Sequence, residues 1–576
     1  MERSRQDTGA TGCSPTLLAS LVAHATAYPG KPAFVFPDES GFAVQSYADL
    51  VADIATCAGL LRQPASGQGS GIVLMILKHT PVMFSAYLGA MGAGLIPSFL
   101  PFPTPKQNPN YYWHELKTLV MMERPCCILT YRELAPSVSA AVGDIQVLLI
   151  EDLEARCRAA GGERREPESL GIDLRRPQDT ALLQHSSGTT GLRKGVMLSF
   201  EAVARQSEAL AMACELGPKA VVATWLPMYH DMGLFSSFLI PLHVGATVVT
   251  IDPFDWLRTP ESLFAAIASF RATHCWLPNF AFIHLANTVK PGCGHDLSSM
   301  AAFVSCSEPS KPAAIDLFVD RFAPLGVTPE KMHVSYAMAE ASFAVTQTPL
   351  RRAPRFMAVD ADALATRSVV RPAAGGQTVV FTSCGPLVDG VELRIDATGS
   401  ADEPGIAAGE VMLRGGFLFQ GYYNQPALTA DVITDGWFRT GDIGFVADGE
   451  LFICGRSKDI LIVHGRNYYA HDIEAVASAV PGVIAGRVVA IGQYTETTGS
   501  EELVLIAETR MSPADAALLK RALKQAVVET LGLLPRVVKL VPPSWLVKTT
   551  SGKISRRANL ERFEHESLEP EASHAG

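Results

Sequence analysis

The sequence predicts an α/β protein, with a large, layered N-terminal α/β body, a small β subdomain and a separate α+β domain at the C-terminus. Short, fully apolar runs alternate with helical patterns in the first 345 residues; among them are Ile72–Leu77, Cys127–Thr130 and Val147–Ile150. Such runs are typical of parallel strands that helices cover on both faces. Residues 376–453 are instead rich in Gly, Val and Phe, with turn signals such as Asp448-Gly449, which favours small antiparallel β structure.

The elements of the body follow in chain order. Residues 15–62 give a helical pattern, a turn around Pro29-Gly30, a strand over Ala33–Phe36 and a second helix. A helix is then predicted over Tyr112–Glu123 and a charged surface linker over 154–179. Strand–helix alternation resumes from Ala181 to about residue 345, which favours a layered α/β arrangement.

The C-terminal unit begins near residue 459 and has its own pattern of strands and helices. Its predicted strands are Val488–Ile491, Leu503–Glu508 and Val537–Val541, and its long helix is Pro513–Thr530. The sequence therefore divides into an N-terminal domain over 15–457, a C-terminal domain over 458–560 and a tail over 561–576. The tail is expected to be disordered.

Composition and charge exclude several classes of protein. The chain carries 48 Lys and Arg against 58 Asp and Glu, and this net charge of −10 argues against a protein that mainly grips nucleic acid or anionic membrane. A hydrophobic fraction of 48% with 18% charged residues excludes a disordered chain. The 11 cysteines include no C-x-x-C pair, which argues against a disulfide framework or a zinc site and suits a reducing cytosol.

One stretch, Val82–Leu100, carries no charge and is long enough to span a membrane. Its three glycines and Pro97 favour a buried helix that runs into a buried strand. Residues Met1–Ser14 lack the apolar region of a signal peptide. We therefore expect no membrane span and a cytoplasmic location.

The strongest motif is a loop dense in glycine and hydroxyl side chains, directly after the apolar run Ala181–Leu183. Its residues are Ser186, Ser187, Gly188, Thr189, Thr190, Gly191, Leu192, Arg193, Lys194 and Gly195. Glycines let backbone N–H groups approach a polyphosphate, hydroxyls add neutral donors, and a lysine offsets the negative charge. The spacing differs from that of a Walker A loop, but the composition still predicts a phosphate site.

Five weaker motifs follow along the chain. In Trp225–Gly233, His230 and Asp231 come after a predicted strand, at the edge where open α/β sheets bind ligands. Tyr336 and Glu340 offer a ring that can stack on a base and a carboxylate that can hold Mg²⁺. The other three motifs are Trp437–Asp442, Gly455–Asp459 and Lys548–Ile554. Each is weak alone, since short charged turns are usually solvated loops, so the interpretation depends on their order and spacing.

In this order, the six motifs resemble those of the adenylate-forming superfamily of acyl-CoA synthetases, luciferases and nonribosomal adenylation domains, over about residues 15–560. The finer resemblance is to the fatty acyl-AMP ligases. It is carried by three stretches, Trp225–Leu234, Leu277–Phe282 and Gly455–Glu474. An extra segment at about 351–376 resembles the insertion that marks these ligases.

The resemblance implies a two-step reaction that uses ATP and Mg²⁺. A fatty acid carboxylate attacks the α-phosphorus of ATP and pyrophosphate leaves; the acyl group then passes from AMP to the phosphopantetheine thiol of a holo acyl carrier protein. No attachment site for phosphopantetheine is recognised in this sequence, so the carrier is expected to act in trans. The C-terminal domain is implied to be mobile, with its hinge at Lys458, and to present Lys553 only in the first step.

The resemblance also implies the residues of the site. Lys553 and His230 would be catalytic, and Glu340 would hold the metal. The nucleotide-binding residues would be Ser186, Ser187, Gly188, Thr189, Thr190, Gly191, Lys194, Ser307, Tyr336, Ala337, Asp442 and Arg456. The acyl pocket would be formed by Trp225, Asp231, Phe235 and Phe280. Three of these depart from the family's usual residues: Ala337 replaces glycine, Ser307 replaces a smaller residue, and Phe235 could narrow or redirect the acyl tunnel.

Two alternatives remain. The first is an acyl-CoA or aryl-CoA synthetase that uses free coenzyme A, against which the segment at 351–376 argues. The second is a catalytically silent regulator that binds acyl groups or nucleotides on the same scaffold. Lys553, Glu340 and the intact phosphate loop argue against the second alternative.

Overall fold

The computed structural model describes thirteen parts of the chain: 15–38, 41–62, 70–103, 109–160, 176–186, 194–373, 375, 377–397, 405–463, 466–495, 500–512, 514–548 and 554–568. Two predicted parts of the site lie outside the described residues. These are positions 187–193 of the phosphate loop and the lysine at 553.

Strands and helices alternate through the first 160 residues. The elements are α1 (Leu17–Ala27), β1 (Pro32–Asp38), β2 (Gly41–Ser46), α2 (Tyr47–Arg62), β3 (Ile72–Ile76), α3 (Pro81–Ala93), β4 (Ile96–Leu100), α4 (Pro109–Glu123), β5 (Cys127–Thr130), α5 (Ala135–Val142), β6 (Gln146–Leu149) and α6 (Ile150–Ala159). Strands β3 to β6 form a parallel sheet in the order β4-β3-β5-β6. Every residue of β3 is buried, as expected for a strand that helices cover on both faces.

The uncharged stretch Val82–Leu100 forms most of α3 and all of β4, as predicted. Both elements are almost fully buried in the body. Among the residues that the structure describes, no helix combines the length and the apolar character needed to cross a bilayer.

The second part of the body builds the central sheet. Its elements are β7 (Thr180–Ser186), β8 (Lys194–Ser199), α7 (Phe200–Ala213), β9 (Val221–Thr224), a π-helical segment (Met232–Leu239), α8 (Ile240–His243), β10 (Thr247–Thr250), α9 (Pro253–Arg258), α10 (Ser262–Phe270), β11 (His274–Leu277), α11 (Asn279–Thr288), β12 (Ala302–Ser305), α12 (Pro312–Phe322) and β13 (Met332–Val334). Seven strands join in the order β13-β12-β11-β9-β10-β1-β2. All neighbours are parallel except β1 and β2, so the carboxyl ends of β9 to β13 meet at one edge.

The β-rich region follows, as the sequence predicted. Its elements are β14 (Phe356–Asp360), α13 (Ala361–Arg367), β15 (Val369–Val370), β16 (Thr378–Thr382), β17 (Val391–Asp396), β18 (Ile406–Ala407), β19 (Gly409–Gly415), β20 (Gly421–Tyr422), α14 (Pro426–Val432), β21 (Ile433–Thr434), β22 (Trp437–Ala447) and β23 (Glu450–Arg456). Strands β17, β19, β21, β22 and β23 form one antiparallel sheet. Strand β20 instead pairs with β8, which brings this region beside the phosphate loop.

The C-terminal unit has its own sheet and its own core. Its elements are β24 (Ile460–Val463), β25 (Arg466–Tyr469), α15 (Ala470–Ser478), β26 (Val483–Thr495), β27 (Ser500–Thr509), α16 (Ala516–Leu531), β28 (Val537–Val541) and α17 (Arg556–Leu568). Buried residues from Leu461 to Val538 form a cluster separate from the main cluster of the body, which extends from Leu17 to Leu451. The predicted strands and long helix of this unit all appear; Val537–Val541 has the predicted bounds, and the ends of the other three elements are shifted.

Two expectations are wrong in part. Residues 561–568 were expected to belong to a disordered tail, but they continue helix α17, because Phe563 is buried beside Trp545 and the strands of the C-terminal sheet. The linker expected over 154–179 begins with six helical residues, since α6 extends to Ala159 and buries Leu153. In both places a few apolar contacts stabilise a helix that charged sequence alone does not predict.

Candidate active site

The phosphate loop is held at both ends by a strand pair. Ser186 ends β7, Lys194 begins β8, and the two residues are register partners in the antiparallel pair. The loop of residues 187–193 therefore starts and ends at neighbouring points of one hairpin. Ser187, Gly188, Thr189, Thr190 and Gly191 stay predicted phosphate ligands, since they lie outside the described residues.

Lys194 belongs to a small polar cluster with Tyr422 and Glu340. The Lys194 ammonium lies over the Tyr422 ring, with Nζ 4.8 Å from the ring centroid. The Tyr422 hydroxyl donates to Oε1 of Glu340 at 2.8 Å. The cluster thus joins the second anchor of the phosphate loop to the predicted metal ligand.

Glu340 lies in a short turn, Ala339–Ala341, after the carboxyl end of β13. Burial raises the pKa of its carboxyl above the usual range, while the Tyr422 hydroxyl and the charges of Arg456 and Lys194 act in the opposite direction. A carboxylate oxygen is a ligand type that Mg²⁺ prefers, so Glu340 would be suited to hold a magnesium ion, which would supply positive charge near the phosphates.

A second polar group lies at the same edge of the sheet. The Tyr336 hydroxyl donates to Oδ2 of Asp442 at 2.6 Å, and Nε of Arg456 lies 3.3 Å from Oδ1 of the same carboxylate. Asp442 and Arg456 are register partners on β22 and β23, so the sheet fixes their spacing. Burial and the Asp442 charge together raise the pKa of the Tyr336 phenol, which therefore stays a hydrogen-bond donor.

Ser307 and Ala337 follow the neighbouring strands β12 and β13. Ser307 has a φ of 67°, in the left-handed region of backbone conformation. For a residue other than glycine this conformation costs about 1 kcal/mol. Ala337 forms an isolated bridge with Ala344. Both residues are half-buried at the edge that carries Tyr336, where the resemblance implies the nucleotide.

His230 and Asp231 follow β9 in the segment that starts with Trp225. Oδ1 of Asp231 accepts from the Met232 N–H at 2.8 Å, at the start of the π-helical segment. Gly233 packs against the same loop, since a Cβ there would lie 2.3 Å from the Pro227 carbonyl oxygen. This close approach fixes the direction in which His230 and Asp231 leave the strand.

The phosphate strand and this segment are joined directly. The side-chain amide of Gln184, in β7, donates to the Tyr229 carbonyl at 3.1 Å. The imidazole of His230 lies beside the Tyr229 ring, with centroids 4.8 Å apart. The segment with His230 therefore lies next to the strand that enters the phosphate loop.

The predicted acyl-pocket residues are only partly brought together. Trp225 stacks on Trp256 at 3.7 Å and meets the edge of Phe280 at 6.2 Å, and the Phe280 side is open, with that residue 45% exposed. Phe235 is fully buried in the core instead. A separate pocket borders the segment that carries His230 and is lined by residues that include Leu77, Met83, Phe99, Met228, Tyr229 and Phe254. The acyl tunnel thus stays a prediction.

Lys458 lies between the body and the C-terminal unit, in a short turn over Ser457–Asp459. Burial and the neighbouring Arg456 charge lower the pKa of its ammonium to about 8, and Lys194 acts in the same direction. The predicted hinge residue thus lies within electrostatic range of Arg456 and Lys194, two of the predicted nucleotide ligands.

Tyr422, which connects Glu340 with Lys194, is not among the site residues that the sequence predicts. Its neighbours are Gly421 and Tyr423, and nothing in this spacing indicates a functional tyrosine. The pairing of β20 with β8 creates the role, and that pairing joins residues more than 220 positions apart.

Several known proteins are similar to this chain in sequence. The family description "AMP-binding enzyme" matches residues 21–423. The long-chain-fatty-acid–AMP ligase FadD26 of Mycobacterium marinum is 31% identical over 588 residues, covering 93% of this chain and 95% of that protein. A 4-hydroxyphenylalkanoate adenylyltransferase of Mycobacterium tuberculosis is 31% identical over 516 residues, covering 83% of this chain and 80% of that protein.

A solved structure from studies of fatty acyl-adenylate ligases of E. coli and L. pneumophila superposes with a TM-score of 0.85. It is 24% identical and covers 96% of this chain and 98% of that chain, which establishes a common fold. The fold is therefore that of adenylate-forming enzymes. Because the family match spans well over half of the sequence, the chain belongs to the AMP-binding enzyme family.

Proposed function

We propose that this chain is a fatty acyl-AMP ligase that delivers its acyl group to a carrier protein. The observation that supports it most is the meeting of two polar groups at one sheet edge: Tyr336 with Asp442 and Arg456, and Glu340 with Tyr422 and Lys194. The first group suits a nucleoside and the second a metal-bound triphosphate. The mycobacterial relatives named as long-chain-fatty-acid–AMP ligases agree with this activity.

In the first step, an oxygen of the fatty acid carboxylate forms a bond to the α-phosphorus of ATP, and the bond to pyrophosphate breaks. Such a transfer needs positioning and charge neutralisation more than covalent help. Lys194 and the loop hold the outer phosphates, while Asp442 accepts from the ribose hydroxyls. Glu340 would hold Mg²⁺, which neutralises phosphate charge when bound.

In the second step, the sulfur of the carrier's phosphopantetheine forms a bond to the acyl carbon, and the bond to AMP breaks. The thiol proton leaves with this attack, and AMP departs with its phosphate oxygen. His230 borders the place where the acyl group is expected, because it leaves β9 beside the strand of the phosphate loop. Lys553 is needed for the first step only.

The extra segment at 351–376 supports the carrier as acceptor. It forms β14, α13 and β15, and Val359, Leu364 and Val370 are buried in a cluster with the β-rich region. From α13, Asp362 forms an ion pair with Arg466 at the start of β25 in the C-terminal unit. The segment therefore links the body to the unit that is implied to swing, and it can bias the pose in which a thiol acceptor enters.

The proposal is tested by incubating the protein with ATP, Mg²⁺ and a series of fatty acids and measuring pyrophosphate and acyl-AMP. We expect pyrophosphate release that requires the fatty acid and matches acyl-AMP formation. No turnover with any fatty acid, despite nucleotide binding, would favour the alternative of a silent regulator.

Glu340→Gln and Lys194→Ala should each raise the KM for MgATP by about ten-fold, because Lys194→Ala removes a positive charge that compensates the phosphates and Glu340→Gln weakens the binding of the Mg²⁺ that does so. Glu340→Gln should also raise the Mg²⁺ concentration needed for half-maximal rate. Initial rates over a grid of ATP and Mg²⁺ concentrations measure both effects. Lys219→Ala, which removes an exposed lysine of the same body, is the matched control. Unchanged ATP and Mg²⁺ dependence in both variants would contradict the assignment of the phosphate and metal ligands.

Asp362→Lys should increase thioester formation with coenzyme A relative to a carrier protein by at most about five-fold. The expected change is small because the Asp362 side chain is 60% exposed and the Arg466 side chain 38% exposed, and surface pairs of this kind contribute about 1 kcal/mol or less. A point variant is used because deleting the segment would remove buried core residues. Glu392→Lys disrupts a comparable pair with Arg414 in the β-rich sheet, where the acidic side chain is 61% exposed, and serves as control. An equal acceptor ratio in both variants would mean that α13 does not influence the choice of thiol.

A further inference from the structure

A buried hydrogen-bond relay lies beside the strand pair that leads into and out of the phosphate loop. The Ser98 Oγ is 2.7 Å from Nδ1 of His185, and Nε2 of His185 is 2.7 Å from Oε1 of Glu123. The side chains of His185 and Glu123 are fully buried, and Ser98 is fully buried too. A carboxylate only accepts, so Nε2–H donates to Glu123, and in the neutral ring Nδ1 accepts from the Ser98 hydroxyl.

Three separate elements supply the residues of this relay, and the relay contacts both β7 and β8, the strands at the two ends of the phosphate loop. Ser98 comes from β4, Glu123 ends α4, and His185 directly precedes Ser186 in β7. His185 is the register partner of Gly195 in β8. A Cβ at Gly195 would lie 2.8 Å from Oε1 of Glu123, so the carboxylate packs against the backbone on the far side of the loop as well.

The relay lies on the face of β7 opposite the ligand side. Successive side chains of a strand alternate between its faces, so His185 points away from the face that carries Gln184. Gln184 contacts the Tyr229 carbonyl on that other face, in the segment with His230. The relay therefore contacts the strands at the two ends of the loop from the face of β7 opposite Gln184, and it does not occupy the face where the ligand is proposed to bind.

A purely structural role explains this arrangement poorly. Taking an ionisable pair out of water is costly, and apolar residues of similar volume often stabilise a core as well or better. The second oxygen of Glu123 has no hydrogen-bond partner among the described residues, which adds to the cost. The order Ser, His and Glu resembles a nucleophilic triad, but Ser98 is 0% exposed and offers no access to a substrate.

We propose that Ser98, His185 and Glu123 are positioning residues that hold the two ends of the phosphate loop for the outer phosphates of ATP. The inference rests on the proposed function, since it concerns how the same site binds its nucleotide. Under this proposal, binding of ATP and pyrophosphate depends on the relay. Binding of AMP depends instead on Tyr336, Asp442 and Arg456, and it is independent of the relay.

The test uses two mild variants, Ser98→Ala and Glu123→Gln, each close in size to the original residue. Calorimetry without fatty acid measures binding of ATP, pyrophosphate and AMP in the presence of Mg²⁺. We expect each variant to weaken ATP and pyrophosphate binding by about ten-fold and to leave AMP binding within two-fold. Because both residues act through His185, the double variant should bind ATP no more weakly than the single variant with the lower ATP affinity.

His274→Asn is the matched control. His274 is as buried as His185 and also has two hydrogen-bond partners, the Thr273 hydroxyl and the Cys214 carbonyl, but it begins β11 away from the loop. The control should change ATP and AMP affinity alike or not at all. A selective loss of ATP binding in the control, an equal loss of ATP and AMP in the relay variants, or unchanged ATP binding in both relay variants would each overturn the inference. A wild-type protein that bound neither nucleotide would contradict the proposed function itself, and the inference with it.

Discussion

Replacing Lys553 by alanine is expected to lower the rate of acyl-AMP formation by about two to three orders of magnitude while ATP binding stays largely intact. The resemblance assigns this lysine as a single positive charge at the place where negative charge builds on the carboxylate and the α-phosphate. One such preorganised donor is typically worth about 3 to 4 kcal/mol in the transition state. Trapping the adenylate with hydroxylamine measures the rate, and calorimetry measures ATP binding.

The same variant separates the two half-reactions. If Lys553 is presented only in the first, Lys553→Ala should still transfer an acyl group from supplied acyl-AMP to a thiol at nearly the wild-type rate. Lys520→Ala removes an exposed lysine of α16 in the same unit and should leave both steps unchanged. Near wild-type adenylation in Lys553→Ala would contradict the assigned role.

Asp442→Ala is expected to weaken binding of both ATP and AMP by about a hundred-fold. The carboxylate accepts from the Tyr336 hydroxyl and lies beside Arg456, so its loss removes the proposed acceptor for the ribose and releases the two groups that border it. Hydrogen bonds to a charged group contribute about 1.5 to 3 kcal/mol, which corresponds to this change. Calorimetric titration with each nucleotide provides the measurement.

A matched control is Asp431→Ala, which removes an exposed aspartate of α14. It should bind both nucleotides as the wild type does, and thermal unfolding of the two variants shows whether the Asp442 variant keeps its fold. A folded Asp442→Ala protein with unchanged ATP and AMP affinity would exclude Asp442 from the nucleoside site.

Much of the fold follows from local sequence patterns. The apolar run at 72–77 forms the buried strand β3, and the predicted strand Val537–Val541 has the same bounds as β28. Both positions have strongly apolar, β-branched sequences whose interpretation needs no tertiary information. The helix over 561–568 escaped prediction because its sequence is charged and its stability comes from the burial of Phe563 in the C-terminal sheet.

The residues of the candidate site also divide into those that local motifs predict and those whose role depends on the tertiary structure. The motif order predicted that Tyr336, Asp442 and Arg456 belong to one site, and the structure places them within hydrogen-bond or ion-pair distance. Tyr422 was missed because its role depends on the pairing of β20 with β8. The relay of Ser98, His185 and Glu123 was missed for the same reason: three elements far apart in the chain supply one residue each, and no spacing connects them.

The most direct test of the proposed activity compares the two thiol acceptors in one assay. Purified protein, fatty acid, ATP and Mg²⁺ are incubated with either coenzyme A or a panel of holo carrier proteins, and acyl-AMP and acyl thioesters are quantified. The account predicts that acyl-AMP accumulates with coenzyme A alone and that the acyl group passes to at least one holo carrier. Efficient acyl-CoA formation by the intact enzyme would contradict it and favour an acyl-CoA synthetase.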